Sequence, residues 1–294
     1  MKRLLITGGS GFVGGHLIAQ AKDEWEVFAT YQSRPISPPD VTSLALDLAD
    51  EKAIEDAVEK IQPNVIIHAA AWSNIDGCEK EPERAFHINA TATEILAELT
   101  SRLGCRLVFV SSDMVFDGET GDYTEDDDTR PINVYGKTKL MGEKFIQSVC
   151  QNYVIARSAL IYGYPVTNAS SFSEITLQTL RSGKIMPLFT DQFRTPILVQ
   201  NLTQALLEIA GMSFTGIVHL GGAQRVDRYT FGRRLAVLNR FSEAQCRAVS
   251  MADVPMAATR PRDVSLNIHK AKRLLNTKLL GYFKGLEQAV QSGC

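Results

Sequence analysis

Tyr135 and Lys139 are the two side chains whose spacing is best suited to proton transfer. Residues four apart in a helix project from the same face, and the surrounding segment has a helical pattern. A phenol with a pKa of about 10 is a weak acid, and a nearby ammonium would favour its ionised form. The pair is therefore predicted to supply the proton that a carbonyl takes up during reduction by hydride. Lys137 falls on another helix face, so we expect it to be solvated.

A hydroxyl that could bind the same carbonyl lies in the segment Val110-Ser111-Ser112-Asp113, at the end of a predicted strand. Ligands of parallel sheets bind beyond the carboxyl ends of the strands. Adjacent side chains on a strand point to opposite faces, so only one of Ser111 and Ser112 should face the ligand. The alternation alone leaves both serines open.

A glycine-rich loop directly follows the first predicted strand and opens a helix. Glycine is required where the backbone turns with positive φ, approaches a pyrophosphate closely or packs a helix against a strand. The free N–H groups of the helix N-terminus then bind phosphate. This context predicts a dinucleotide cofactor, held by Gly8, Ser10, Gly11, Phe12, Val13 and Gly14.

The end of the second predicted strand indicates which nicotinamide cofactor is used. It lacks the Asp or Glu that binds a ribose 2′-hydroxyl, whereas Ser33 and Arg34 are suited to a 2′-phosphate. We therefore expect NADPH, with NADH as the alternative. The competing interpretation of Arg34 is a solvated loop cation that precedes Pro35.

Strand and helix patterns alternate through the first half of the chain, and strands that are apolar on both faces indicate a parallel sheet covered by helices. The predicted strands are Arg3 to Thr7, Glu26 to Thr30, Ser43 to Asp47, Asn64 to Ala70, Arg106 to Ser111, Tyr153 to Ser158 and Gly216 to Leu220. The predicted helices include Glu51 to Ile61, Glu83 to Leu103, Asn133 to Val149, Val199 to Ala210, Thr230 to Leu238 and His269 to Leu275.

The fold class that follows is α/β, a doubly wound parallel sheet (Rossmann) with a smaller C-terminal substrate lobe. We expect residues 1–160 to form the NAD(P)-binding domain and residues 161–294 to form mainly the substrate lobe. Parts of that second segment are allowed to return to the first domain.

Composition and charge narrow the protein classes. The 294 residues are 45% hydrophobic with a net charge of −2, typical of a globular protein, and no Lys/Arg run suggests a nucleic-acid or membrane surface. Five cysteines without C-x-x-C spacing predict neither disulfides nor a metal site. Glycines interrupt the apolar N-terminal run, so we expect a cytoplasmic location.

Four blocks of the sequence resemble the dTDP-4-dehydrorhamnose reductase family of extended short-chain dehydrogenases. They are Thr7 to Gly14, Ser111 to Gly118, Pro131 to Leu140 and Arg260 to Asp263. The resemblance implies that NADPH reduces the 4-keto group of a nucleotide-linked deoxysugar. It selects Ser112 as the carbonyl ligand, Tyr135 as the proton donor and Lys139 as the ligand of the nicotinamide ribose.

The same resemblance implies further binding residues. Cofactor contacts fall on Asp47 and Leu48 near the adenine and on Ala69, Ala70 and Ala71 near the ribose. Substrate contacts fall on Ser112, Asp113, Met114, Arg194 and Arg260. For Arg260, which would lie near the diphosphate, the alternative is an ion pair with a local carboxylate.

Two departures from the family pattern leave the substrate open. Met114 stands where relatives usually have tyrosine, and Phe193-Arg194 stands where they tend to have small residues. A different sugar or a non-sugar carbonyl is therefore an alternative.

Other functions also stay open at this point. The family includes a non-catalytic, NADP-binding regulatory subunit of methionine adenosyltransferase that keeps these motifs. Epimerases and dehydratases use the same triad, but a dehydratase would need an acid pair such as Asp-Glu where this chain has Asp113-Met114. A homodimer is open as well.

Overall fold

Seven parallel strands form the central sheet of the computed structural model, which describes residues 1–291. They are β1 (Arg3–Thr7), β2 (Glu26–Tyr31), β3 (Val41–Ala45), β4 (Val65–His68), β5 (Arg106–Ser112), β6 (Tyr153–Ser158) and, from the second half, Gly216–Leu220. The order from one edge is Gly216–Leu220, β6, β5, β4, β1, β2, β3. The order reverses between β1 and β4, which opens a crevice at their carboxyl ends.

The edge strand Gly216–Leu220 of the central sheet is β11 in chain order. The short strands outside that sheet are β7 (Ile161–Tyr162), β8 (Met186–Phe189), β9 (Phe193–Arg194), β10 (Ile197–Leu198), β12 (Val226–Asp227) and β13 (Cys246–Val249). Three two-stranded pairs form outside the main sheet: β10 with β7, β12 with β9, and β13 with β8.

Helices cover both faces of the sheet and build the second lobe. They are α1 (Phe12–Ala21), α2 (Glu51–Ile61), α3 (Ile75–Lys80), α4 (Pro82–Phe86), α5 (Ala92–Leu103), α6 (Val134–Val149), α7 (Phe172–Arg181), α8 (Val199–Gly211), α9 (Arg228–Leu238), α10 (His269–Leu274) and α11 (Tyr282–Gln291). A π-helical turn spans His87–Thr91, and 3₁₀ turns span Asp113–Val115, Glu243–Gln245 and Met251–Asp253.

The alternation of apolar side chains along the strands explains this layering. On β1, Leu4 and Ile6 pack into the core beneath α1 and α8, whereas Leu5 packs into the opposite core beneath α2 and α5. All three are fully buried. A strand buried on both faces must lie inside a sheet that helices cover on both sides. The predicted doubly wound fold is confirmed.

Several predicted elements differ from the structure in their bounds, and the fourth strand ends at His68 instead of Ala70. The third strand ends at Ala45, so Asp47 lies in the following loop. The predicted helix Glu83 to Leu103 is interrupted by the π-helical turn at His87–Thr91. Within that turn, the Asn89 side chain exchanges hydrogen bonds with the backbone of Trp72. Because Trp72 lies 17 residues before Asn89, this contact is not visible in a local hydrophobic pattern.

The second half of the chain forms a small core of its own and also contributes to the core of the main sheet. One small core lies among α7, α9 and α11, with Leu177, Phe231 and Leu286 fully buried. By contrast, β11 pairs with β6, and α8 packs on the main sheet. The domain boundary at residue 160 stays a prediction. No helix among the described residues has the length and hydropathy needed to cross a membrane.

Candidate active site

A cleft of about 900 Å³ opens at the carboxyl ends of the central strands. Its floor is formed by the glycine loop and the ends of β4, β5 and β6, and segments of the second lobe form its far wall. The cleft lies where the strand order reverses. This is the position at which doubly wound sheets bind their ligands.

The glycine loop is shaped for close approach. Gly8 has a φ of +75°, and a Cβ there would lie 2.9 Å from the Cα of Ala70. A Cβ on Gly14 would collide with the carbonyl oxygen of Gly8. Gly11 caps α1 without a side-chain hydrogen bond, so the first N–H groups of that helix remain free for a ligand. The loop therefore fits the diphosphate of a dinucleotide.

The predicted adenine and ribose contacts converge on the same cleft. Leu48 and the backbone around Ala69, Ala70 and Ala71 line it beside the glycine loop. Asp47 also lines the cleft, and its Oδ1 accepts hydrogen bonds from Ala49 N at 3.0 Å and Gln32 Nε2 at 3.1 Å. Ser10, Gly11, Phe12 and Val13 border the same space.

The two residues predicted to bind a 2′-phosphate lie outside this cleft. Arg34 Nη1 donates a hydrogen bond to the carbonyl oxygen of Asn168 at 2.6 Å. Arg34 borders a separate cavity of about 510 Å³, which Gly9 and Ser10 also line. Ser33 is exposed and lines neither cavity. Ser10 borders both spaces, so Arg34 still lies near the glycine loop.

The start of α6 positions Tyr135 against the end of β5. Asn133 caps the helix, with its Oδ1 accepting a hydrogen bond from Gly136 N at 2.8 Å. Gly136 allows α6 to approach the carbonyl oxygen of Met114 so closely that a Cβ would collide with it. This contact brings the Tyr135 phenol near the Ser112 hydroxyl. Both line the cleft.

The Tyr135 phenol is held in its protonated form. Burial raises its pKa most, and the Asp113 carboxylate raises it further, whereas the nearby Ser112 hydroxyl lowers it. Burial outweighs the opposing effect of Ser112. The expectation that Lys139 lowers this pKa stays a prediction. A protonated phenol is the form that can donate a proton to a developing alkoxide.

Lys139 lies at the bottom of the cleft and is fully buried. Its Nζ lies 4.0 Å from the centroid of the Phe109 ring. Burial lowers its pKa to about 7, and the carboxylate of Glu143, one helical turn further on, acts in the opposite direction. Glu143 therefore helps to keep Lys139 charged.

Glu143 also separates the roles of the two serines. Its Oε1 accepts a hydrogen bond from Ser111 Oγ at 2.5 Å, and Arg157 Nη2 pairs with its Oε2 at 2.8 Å. Ser112 Oγ instead donates to Asp113 Oδ1 at 3.1 Å. Ser111 is thus engaged in the core, whereas Ser112 adjoins Tyr135.

His68, the last residue of β4, is a buried polar side chain that no sequence motif marks. Its two ring nitrogens lie 2.7 Å from Thr7 Oγ1 and 3.1 Å from Thr93 Oγ1. Burial lowers its pKa to about 3, and the charge of Lys139 acts in the same direction. His68 therefore stays neutral and ties β1 and β4 to α5.

Asp113 and Arg194 form a buried pair next to Ser112. Arg194 Nε lies 3.8 Å from Asp113 Oδ2, and burial raises the pKa of Asp113 to about 6. Arg194 Nη1 donates to the carbonyl oxygen of Phe193 at 2.6 Å, and its Nη2 to that of Pro261 at 3.2 Å. Arg194 lines the cleft, but its guanidinium is largely occupied by the backbone.

The other predicted substrate residues also reach the cleft. Met114 lines it beside Ser112. Arg260 lines it too, and its Nη2 donates to Asp76 Oδ2 at 2.8 Å, while Nη1 donates to the carbonyl oxygen of Ala258 at 2.9 Å. The ion pair with a local carboxylate, raised as the alternative for Arg260, is present.

Several cleft residues were missed because no motif marks them. Those from the first lobe are Trp72, Asn74 and Arg84, and those from the second lobe are Phe172, Ile175, Phe189, Gln192, Arg228 and Met256. Arg84 stacks on Trp72, with its Cζ 4.6 Å from a ring centroid. Isolated residues far apart in the chain carry no spacing signal, and only the fold brings them together.

Known proteins resemble this chain over nearly its whole length. The dTDP-4-dehydrorhamnose reductase of Salmonella typhimurium is 32% identical, with 77% of this chain and 79% of the relative covered. The methionine adenosyltransferase 2 subunit beta of Xenopus laevis is 31% identical, with 93% and 82% covered. The crystal structure of a hypothetical dTDP-4-dehydrorhamnose reductase from Sulfolobus tokodaii is 33% identical, with a TM-score of 0.86 over 96% of this chain and 98% of that one.

The match to a family model extends further than any single motif. The model described as the RmlD substrate binding domain matches residues 1–293. The predicted kinship with the dTDP-4-dehydrorhamnose reductases is confirmed, and the chain belongs to the RmlD substrate binding domain family.

Proposed function

We propose that this protein is an oxidoreductase that uses NADPH to reduce the 4-keto group of a nucleotide-linked deoxysugar. The observation that carries the proposal is the convergence of Ser112, Tyr135 and Lys139 with the glycine loop on one cleft. The reductase relatives, named for dTDP-4-dehydrorhamnose, supply the substrate class.

The residues of the cleft divide the work of such a reduction. The bound nicotinamide cofactor supplies the hydride. The glycine loop and the N-terminus of α1 bind its diphosphate, and Lys139 binds the nicotinamide ribose. Ser112 Oγ donates a hydrogen bond to the substrate carbonyl oxygen and aligns it with Tyr135. Tyr135 then donates its phenolic proton to the oxygen as negative charge develops there.

A test must separate turnover from cofactor binding, because the beta subunit of methionine adenosyltransferase is as similar as the reductase. Purified protein is mixed with NADPH and dTDP-4-keto-6-deoxy-L-mannose, and NADPH oxidation and reduced sugar are measured together. We expect one molecule of product for each NADPH consumed. Cofactor binding without turnover on a panel of keto sugars would favour a regulatory subunit, and isomerised sugar with unchanged NADPH would favour an epimerase.

The preference for NADPH over NADH is part of the proposal. Arg34 lies beside the glycine loop, and the end of β2 offers no carboxylate for a ribose 2′-hydroxyl. We expect kcat/KM to be higher with NADPH, and Arg34→Gln to lower it for NADPH while leaving NADH unaffected. A higher kcat/KM with NADH in the unaltered protein would contradict this assignment.

A reducing cytoplasm is also part of the proposal. The four cysteines among the described residues, Cys78, Cys105, Cys150 and Cys246, are buried free thiols, which is compatible with a reducing cytoplasm. Cys294 lies outside the described residues. A homodimer stays a prediction that sedimentation would test.

A further inference from the structure

Arg228 lies in the cleft wall, and its side chain has no hydrogen-bonding partner among the residues that the structure describes. It is the first residue of α9, it is half-buried, and its Cζ lies 3.7 Å from the centroid of the Phe172 ring. Its Nε is buried and has no partner among the described residues. Its pKa is lowered to about 9, mainly by burial and then by the charge of Arg194. The stacked ring fixes the guanidinium but does not neutralise it.

Two acids near this end of the cleft are already paired with other arginines. Asp76 pairs with Arg260 at 2.8 Å, and Asp263 pairs with Arg225 at 2.6 Å. Among the described residues that line the cleft, the acids are Asp47, which accepts from Gln32, and Asp113.

The Asp113 carboxylate faces two guanidinium groups. Both Arg194 and Arg228 lower the pKa of Asp113. Among the ion pairs of the described residues, Arg194 is the one that lies within ion-pair distance of Asp113, at 3.8 Å. One positive charge is therefore left over in a partly desolvated wall. An uncompensated charge away from water is costly, and a guanidinium binds carboxylate or phosphate through two parallel hydrogen bonds.

The position of this charge relates it to the reacting end of the cleft. Arg228, Asp113, Ser112 and Tyr135 line the same cleft, and Asp113 accepts a hydrogen bond from Ser112. Arg228 and Asp113 also shift the pKa of each other. The geometry points to Arg228 as the residue that binds an anionic group of the substrate beside the Ser112–Tyr135 pair. This inference rests on the proposed function, since it assumes that the carbonyl binds at Ser112.

Two parts of a nucleotide sugar could supply the anionic oxygens. One is the diphosphate next to the anomeric carbon, and the other is a carboxylate on the sugar ring. Binding can distinguish them with three probes: dTDP, UDP-glucose and UDP-glucuronic acid. The last two differ only in a carboxylate at the sugar C6.

The experiment compares Arg228→Gln with Arg233→Gln in the presence of saturating NADP⁺. Arg233 lies on the same helix, stacks on Tyr229 and pairs with Glu243 away from the cleft, so it is the matched control. Calorimetry gives the Kd of each probe at two salt concentrations, and thermal unfolding checks the fold. Arg228→Lys keeps the positive charge but loses the two parallel N–H donors of the guanidinium. It serves as the second variant if Arg228→Gln does not fold.

We expect Arg228→Gln to weaken binding about tenfold and to reduce its salt dependence, with Arg233→Gln unchanged. Equal weakening of all three probes identifies the diphosphate, and weakening of UDP-glucuronic acid alone identifies a sugar carboxylate. Affinities within twofold of the unaltered protein, or weaker binding with an unchanged salt dependence, would overturn the inference. Because the measurement detects binding, it can fail while NADPH turnover succeeds, and it can succeed when turnover fails.

Discussion

At the scale of single residues, the charge of Lys139 should change with pH near neutrality. Burial lowers its pKa to about 7, whereas Glu143 raises it. Because the folded-state pKa lies below the usual value of about 10.4, the folded protein binds fewer protons than the unfolded chain between those values. Burial of charged Lys139 therefore lowers the free energy of unfolding at pH values below about 7. This penalty fades as the pH rises from about 7 to about 10.4.

Removing the charge of Glu143 should shift this titration. In Glu143→Gln, the pKa of Lys139 falls below its value in the unaltered protein, so Lys139 loses its proton at lower pH. If charged Lys139 binds the cofactor ribose, the pH at which kcat/KM for NADPH declines should move downward. The amide still accepts from Ser111, and thermal unfolding measures the loss from the weakened pair with Arg157. An unmoved pH profile in a folded variant would argue against this role.

The side chains of the reaction centre were predictable from sequence because they carry spacing. Tyr135 and Lys139 are one helical turn apart, and Ser112 ends a strand. The choice between Ser111 and Ser112 was not predictable from alternation alone, since it depends on Glu143, which lies 32 residues beyond Ser111. Arg228 had no local signal at all.

At the scale of elements, the contact between α6 and the 3₁₀ turn at Asp113–Val115 determines where Tyr135 lies. Gly136→Ala places a methyl group against the carbonyl oxygen of Met114. The helix start must then shift, and a displacement of about 1 Å at a reacting group can cost roughly a hundredfold in rate. We expect kcat to fall by about that factor while NADPH binding persists.

Gly211→Ala is the control for this substitution. Gly211 ends α8, and a Cβ there would meet no atom within 4 Å. Both variants are compared by turnover and by the Kd for NADPH. Normal turnover in Gly136→Ala would show that the close approach does not position Tyr135.

Element boundaries were predictable where the pattern and the caps agree. Helix α2 spans Glu51–Ile61 as predicted, with Asp50 accepting a hydrogen bond from Ala53 N at 3.0 Å at its start. The π-helical turn at His87–Thr91 was not, because the long-range contact of Asn89 with Trp72 determines it. Tertiary hydrogen bonds of this kind leave no periodic trace.

At the scale of the whole molecule, a ligand that binds only the folded state should stabilise it. A ligand at a hundred times its Kd adds about 2.7 kcal/mol to the free energy of unfolding. We expect NADPH to raise Tm more than NADH does at equal concentration. In Gly14→Ala, where a Cβ would collide with the Gly8 carbonyl oxygen, neither cofactor should raise Tm. Equal shifts in Gly14→Ala and Gly211→Ala would contradict the assigned cradle.

The doubly wound sheet was predictable because alternating strands and helices allow few topologies. The composition of the cleft wall was predicted only at Arg194 and Arg260, because residues 172, 192 and 228 converge on it from separate segments that carry no motif.

The most direct test of the account is Tyr135→Phe, which removes the proton donor and leaves the ring in place. With NADPH and dTDP-4-keto-6-deoxy-L-mannose, the account predicts that kcat falls by at least about a hundredfold. The variant should still bind NADPH, because the glycine loop and Lys139 are unaltered. Turnover by Tyr135→Phe at the rate of the unaltered protein would contradict the assignment of Tyr135 as the proton donor.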